Sequence, residues 1–534
     1  MTEYSADVIV IGGGVGGVAA ALAAAEMGAS VIVCEATPWI GGQLTSQAVP
    51  PDENQWIETF GGTRRYRQFR HRVRQYYRRN FHLSESALAQ PDFNPGNGTV
   101  SRLCHEPRVA LTVLYEMLAP HLKAGRIRIL LECRPLAAET ERDMVRAVTC
   151  VRATDWERIT LHGAFFVDAS ELGDLLPLTG TEYISGAEAQ AQTGELHAAS
   201  TADALNMQAI SVVFALDYRP GEDHTVERPA AYEFWRTYTP AVRPAWTGRL
   251  FSWTYPTPAS LAPRTQTLFG GQDHPSATDA SGVSLWHYRR IVDRTNFAPG
   301  TYTSDITLVN WPQTDYFLGP IIEVPPEQAQ AHLTAARELS LSYLYWMQTE
   351  APRIDGHTGY PGLCLRPDVV GSHDGLALFP YIREGRRIRA RFTVTEEHVG
   401  KALRGSQYAA EFPDSVGIGH YNIDLHPTCA GDNYVDIPTL PFQIPLGSLI
   451  PIRIRNLLPA AKNIGTTHVT NGCYRLHPVE WNIGEAVGHL VGFCLQRQLM
   501  PETVHYRPAI LQEYQGLLTR VGIELRWPQL SGPA

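Results

Sequence analysis

The sequence predicts an α/β protein: a Rossmann-type dinucleotide-binding domain interrupted by an inserted α+β substrate or cap domain. Three observations predict it. A short apolar strand runs into a glycine-rich turn at the N-terminus. An alanine-rich helix and a second strand ending in an acid follow. After a long stretch dense in tryptophan and tyrosine, the chain returns to apolar strand and helix near residue 442.

Asp7-Val8-Ile9-Val10-Ile11 is a nearly unbroken apolar run, the pattern of a parallel strand covered on both faces. It enters Gly12-Gly13-Gly14-Val15-Gly16-Gly17, and the next segment reads as a helix to about Gly28, a residue suited to the C′ position. Val31–Cys34 is the second strand, and Glu35 and Ala36 follow it. In such a turn Gly12 permits the tight bend, Gly14 lets a pyrophosphate approach the backbone, and Gly17 lets helix and strand pack closely. The helix opening at Val15 and Gly16 offers free N–H groups and a positive dipole to phosphates. Glu35 is placed to accept ribose hydroxyls. A glycine fingerprint alone is weak evidence, but here strand, glycines, helix, strand and acid fall in register.

Glu35 does not separate FAD from NAD. The segment after it, Gly41-Gly42-Gln43-Leu44-Thr45-Ser46-Gln47, resembles flavoproteins of the glutathione-reductase-like superfamily, in which a Gly-Gly turn here lets the chain run beneath the flavin. The later order agrees: a helix over Pro107–Lys123, a strand at Ile127–Glu132 with Cys133-Arg134-Pro135 beyond it, a β meander, and a strand closing in Asp168-Ala169-Ser170-Glu171. The superfamily's usual ending is Asp-Ala-Thr-Gly, so this chain departs from it at Ser170 and Glu171. The resemblance implies FAD, held by the glycine turn, Glu35, Ala36, Gly42, Gln43, Arg134, Ala169 and Ser170. Asn463, Arg475 and Glu480 would join from the returning chain.

Residues 64–79 interleave arginines with Tyr66, Phe69, Val73, Tyr76 and Tyr77 at roughly helical spacing, which predicts a solvated or salt-bridged helix. In the middle stretch Trp235, Trp246, Trp253, Trp286, Trp311 and Trp346 suggest core more than ligand box, and an amphipathic helix spans about Glu327–Met347. In the return, Asn456–Ala461 reads as a strand and Pro478 suits the first turn of a helix.

The chain resembles more specifically an FAD-dependent oxidoreductase family whose members are often labelled "xanthan lyase" or "FAD-dependent oxidoreductase". The segments that carry this are Asn310–Tyr316, Ile382–Ile388 followed by Thr395-Glu396-Glu397, Tyr421–His426 and Ile444–Ile450. The resemblance implies residues 1–180 and 401–500 as the FAD-binding domain, 181–400 as the cap, and 501–534 as a C-terminal tail.

At 534 residues the chain exceeds one compact core, and its net charge of −9 points to neither nucleic acid nor a polybasic membrane anchor. No apolar run is long enough to span a bilayer. Val8–Ile11 lacks the basic lead-in of a signal peptide, and eight cysteines without a CxxC pair suit a reducing cytoplasm.

The expected partner is a small organic substrate oxidised by hydride transfer to flavin N5; oligomeric state is not legible. A non-redox hydratase or isomerase using FAD structurally is the alternative, and reduction of the flavin by substrate separates the two. A flavin-bearing scaffold is a third reading, marked by the absence of a substrate-sized pocket. His426 is expected as base, set on a face with Asn422 and Asp424 opposite Tyr421, Ile423 and Leu425. Arg383 is expected to anchor the substrate and Tyr421 to assist. Arg386, Arg387, His373-Asp374, His420, His468 and His477 are further candidates. No metal site is expected.

Overall fold

The apolar run ending at Ile11 is the second half of strand β1 (Thr2–Ile11), whose first residues alternate between exposed and half-buried while Val8–Ile11 are wholly buried. A computed structural model describes residues 2–269, 284–405 and 408–528. Helix α1 (Val15–Glu26) and β2 (Val31–Cys34) follow as the spacing predicts. β1 pairs in parallel with β2 in the register Val8↔Val31 and with β6 (Arg158–Asp168) in the register Val8↔Phe165. β3 (Ile127–Leu130), β4 (Cys133–Glu141) and β5 (Met144–Arg152) complete the order β3-β2-β1-β6-β5-β4. The returning segment Leu457–Pro459 adds to β6 in parallel, so residues far apart in sequence share one sheet. This is a mixed α/β architecture on a sheet with a parallel core.

Helix α1 is buried along its whole length from Val15 to Ala25 because a second buried helix, His477–Arg497, lies against it. Gly484, Gly488 and Gly492, four residues apart and so on one face, meet Gly16, Ala20 and Met27. A side chain on Gly484 or Gly488 would overlap the α1 backbone, and one on Gly492 the side chain of Met27 just beyond it. The small-residue stripes on both helices are therefore a packing requirement.

α2 (Arg64–Asn80) buries Tyr66, Phe69, Val73 and Tyr77, and several of its arginines are salt-bridged: Arg70 bonds Glu53 at 2.7 Å and also Glu58, and Arg74 bonds Glu58 at 2.7 Å. The strands Arg290–Val292, Ile306–Val309, Phe214–Tyr218 and Leu363–Leu365 form a separate antiparallel sheet in that order. The helix Pro326–Thr349 shares a core with this sheet, and all six tryptophans singled out above belong to that core. Where a tail is expected, helices Pro501–Tyr506 and Pro508–Val521 dock on the molecule: Tyr514 is buried and donates its hydroxyl to Ala486 O at 2.6 Å.

Candidate active site

The ends of β1, β2 and β6 frame a groove. Gly12 leaves β1 at φ +97°, and a Cβ there would overlap the Ala169 carbonyl. Side chains on Gly16 and Gly17 would overlap the backbone of Ala460 and Gly12, so these two serve packing, with Val15 buried beside them. Gly14 differs. A Cβ there would lie 3.0 Å from the carboxylate tip of Glu171, and its nearest backbone neighbour would be 3.7 Å away. Glu35 accepts the N–H of Gly13 at 2.7 Å and of Thr37 at 2.8 Å, which leaves lone pairs on both oxygens. Burial drives its pKa up to about 7 against those hydrogen bonds. Ala36, Gly42, Ala169 and Ser170 line the same groove.

Gln43 and Glu480 meet at its inner end. The Gln43 amide donates to the Glu480 carboxylate and to Arg475 O, and Glu480 Oε1 accepts the N–H of Gly16 at 3.3 Å. Burial pushes the Glu480 carboxyl up, and Lys462 opposes the rise.

Three predicted cofactor residues sit elsewhere. Arg134 is exposed on β4, where strand alternation turns its neighbours Cys133 and Pro135 into the groove instead. Asn463 ties the returning strand to the sheet by donating to Asp168 O at 3.0 Å. Arg475 lines a second, larger cavity.

The groove fits a pyrophosphate-bridged dinucleotide. The N-terminus of α1 has no side-chain cap, Gly14 faces the groove without a side chain, and an acid closes β2. Glu171 Oε1, buried and without a hydrogen-bond partner among the described residues, lies beside Gly14 and Gly42. Lys462 pairs with Glu171 and lies 3.9 Å from Glu480, supplying local positive charge.

Beyond Gln43 and Arg475 opens a cavity of about 760 Å³. Its walls come from the loop after the Gly-Gly turn (Asp52–Gln55), from the middle of the chain (Arg289, Trp311) and from the hairpin Ile423–Leu425/Val435–Ile437. Ile423 and Leu425 point into the core and Asp424 to the other face, as alternation requires. Tyr421 precedes the strand, so its expected side does not hold, and it lines the cavity together with Asp424 and His426.

His426 Nδ1 lies 2.6 Å from Asp315 Oδ2. Asp315, 1% exposed, also accepts from Ser211 Oγ at 2.7 Å, Arg383 Nη2 at 2.9 Å and Tyr434 OH at 3.2 Å. Burial would raise its pKa, but Arg383 and His426 outweigh that and hold it down at about 2. His426 Nε2 is 3.6 Å from Asp424 Oδ2, beyond hydrogen-bonding range, and Asp424 is itself held by Arg475 at 2.9 Å. Asp424 is thereby kept well below the usual carboxylate range: burial opposes this, and His426 and Arg475 override it.

Arg383 is not free to anchor a substrate as expected. Besides Asp315, it donates to Ala209 O at 2.9 Å and Ser211 Oγ at 3.0 Å, so it holds the acid that holds His426. Arg387 is buried against Glu384 and Glu188, and Arg386 pairs with Glu323. His468 bonds Glu384, and Asp374 pairs with Arg337 near the surface. His420 lines the cavity against Trp56, where burial lowers its pKa to about 4. His477 Nδ1 accepts the N–H of Asp52 at 3.1 Å.

Sequence reasoning missed Arg289, which stands in the cavity wall. The signal was present: Arg289-Arg290 are adjacent at the start of an extended segment, so their side chains diverge, and Arg290 is engaged by Asp293 and Asp305. It also missed that Cys34, Cys133 and Cys150, scattered in sequence, converge with their sulfurs within 4.8 Å of one another beside the groove.

No curated protein matches the chain. Among solved structures it is similar to L-proline dehydrogenase from P. horikoshii, at 16% identity over 35% of this chain and 24% of that one (TM-score 0.17). A geranylgeranyl bacteriochlorophyll reductase-like protein from Thermoplasma acidophilum is similar at 12% identity over 98% and 85% (TM-score 0.31). The OxyS anhydrotetracycline hydroxylase from Streptomyces rimosus is similar at 10% identity over 97% and 67% (TM-score 0.34). A family model described as FAD dependent oxidoreductase matches residues 7–516, from β1 to the helix Pro508–Val521. The chain belongs to the FAD dependent oxidoreductase family, and FAD is its cofactor.

Proposed function

We propose that this enzyme oxidises a small organic substrate in the large cavity, with the hydride leaving a carbon that bears a hydroxyl or amine. The observation that carries the reading is the pair of buried Asp315 and half-buried His426, opening onto a substrate-sized cavity. FAD, when bound, supplies the hydride acceptor at its N5. The chain's own contribution is proton movement and positioning. Asp315 fixes the His426 ring through Nδ1 and leaves Nε2 to take the substrate's hydroxyl or amine proton. Arg383 and Ser211 keep Asp315 ionised and in place. Arg475 engages Asp424, which leaves that carboxylate a weak competitor for the proton.

The same reading takes 1–180 and 401–500 as a glutathione-reductase-like FAD domain and 181–400 as the cap. The cap's contribution to the cavity, Trp311 and Tyr255 among others, supports that division. Gly12, Gly14 and Glu35 would hold the dinucleotide, with Ala36, Gly42, Ala169 and Ser170 beside it. Anaerobic mixing of FAD-loaded protein with candidate substrates tests the proposal: loss of the oxidised flavin's visible absorbance supports it. Turnover of a substrate with the flavin oxidised throughout would favour the non-redox alternative.

A further inference from the structure

Arg289 is only 8% exposed, yet its Nε and Nη1 have no hydrogen-bond partner among the described residues. The nearest acid, Asp52, holds its Oδ2 3.8 Å from Nη1, outside hydrogen-bonding range. The neighbouring arginines of the wall also leave Nε without a partner among the described residues, but each is held by a close acid, Arg383 by Asp315 at 2.9 Å and Arg475 by Asp424 at 2.9 Å. A buried guanidinium that has lost water without gaining directed acceptors is costly, and its planar fork matches a carboxylate.

The rest of the wall is of another kind. Trp311 and Tyr421 add aromatic surface, the Arg289 guanidinium lies 5.1 Å over the Tyr288 ring, and Asp52, Asp424 and His426 offer acceptors for hydroxyl groups. A cavity of about 760 Å³ is also far larger than a two- or three-carbon acid requires.

We infer that the substrate is a polyhydroxylated carboxylic acid, an aldonic or uronic acid, whose carboxylate pairs with Arg289 while a carbinol carbon is presented to His426. The inference rests on the cavity being the substrate site, as proposed above. In the oxidation, the carbinol C–H breaks and its hydride goes to FAD, the O–H proton passes to His426 Nε2, and the carbon becomes a carbonyl. The carboxylate takes no part in the electron balance, so its role is binding alone.

Calorimetry on the FAD-loaded protein with matched pairs tests this: D-gluconate against D-glucitol, and D-glucuronate against D-glucose. The members of each pair share their carbon skeleton and differ chiefly in the carboxylate. The acids should bind and the neutral partners should not. Arg289→Gln should weaken acid binding by roughly 10²-fold with FAD content unchanged. Arg289→Lys, which keeps the charge but not the fork, should lose less and serves if the glutamine variant fails to fold. Equal responses within both pairs, absence of response included, would overturn the inference, as would an acid preference that survives both substitutions. Acids that bind without reducing the flavin would sustain the anchor and remove the hydride-transfer reading. Neutral polyols that reduce the flavin as well as the acids do the reverse.

Discussion

The imidazole of His426 and the carboxylate of Asp315 are 2.6 Å apart across 111 positions of sequence, with Asp315 sealed from solvent behind the ring. A carboxylate placed so fixes both the tautomer and the plane of the imidazole, leaving one nitrogen for the substrate. Asp315→Asn keeps the size of the side chain but removes its charge and one acceptor. It should lower the rate of flavin reduction by substrate by about 10²-fold or more while leaving FAD bound. A variant that is reduced at the wild-type rate would make the pair structural only.

The same acid links stability to pH. The Asp315 pKa is lowered from 3.8 to about 2, so its contribution is fully present above the unfolded-state value and is lost as pH falls through the folded one. By about pH 3 roughly 1 kcal/mol of that contribution is gone. In urea titrations the gap between wild type and Asp315→Asn should therefore narrow as pH is lowered from about 5 to about 3. A gap that stays constant across that range contradicts the ionised, paired Asp315.

The cradle at Gly14 predicts a binding defect. Gly14→Val places a branched side chain where the Glu171 oxygen now rests, in the space assigned to pyrophosphate. The purified variant should be colourless or weakly loaded, read as FAD released on denaturation, with unfolding of the FAD-stripped protein little changed. Normal FAD occupancy would remove Gly14 from the site.

Nicotinamide coenzymes should be poor reductants. No second GxGxxG occurs in the sequence, and Gly417-Ile418-Gly419 is not a phosphate turn: it lies in the strand Ser415–Gly419, paired with Phe442–Pro445. Gly417 is there to clear the Asn482 side chain. Stopped-flow mixing with excess NADPH should leave the flavin oxidised on the catalytic timescale, and rapid bleaching would reveal a nicotinamide site outside this account.

The groove at the glycine turn was legible because Gly12, Gly14, Gly17 and Glu35 lie within one strand–turn–helix–strand unit, where local spacing fixes geometry. Arg134 went astray by one residue, since alternation along β4 decides which side chain reaches the groove and the strand's start could not be placed that closely. His426 was legible as a candidate but its pairing was not: nothing local connects His426 to Asp315 or Arg383 to either. An arginine between acids reads the same from sequence whether it binds substrate or a buried aspartate. Arg289 lay in an aromatic stretch whose bulk reading, a packed core, holds for its tryptophans and obscured a charged side chain in the cavity wall.

Anaerobic stopped-flow reduction of wild type and His426→Gln by one common substrate decides whether His426 takes the substrate's proton as hydride leaves for the flavin. Both proteins should carry FAD, and the variant's flavin should be reduced about 10²–10⁴-fold more slowly. An FAD-loaded His426→Gln enzyme reduced as fast as wild type would contradict it.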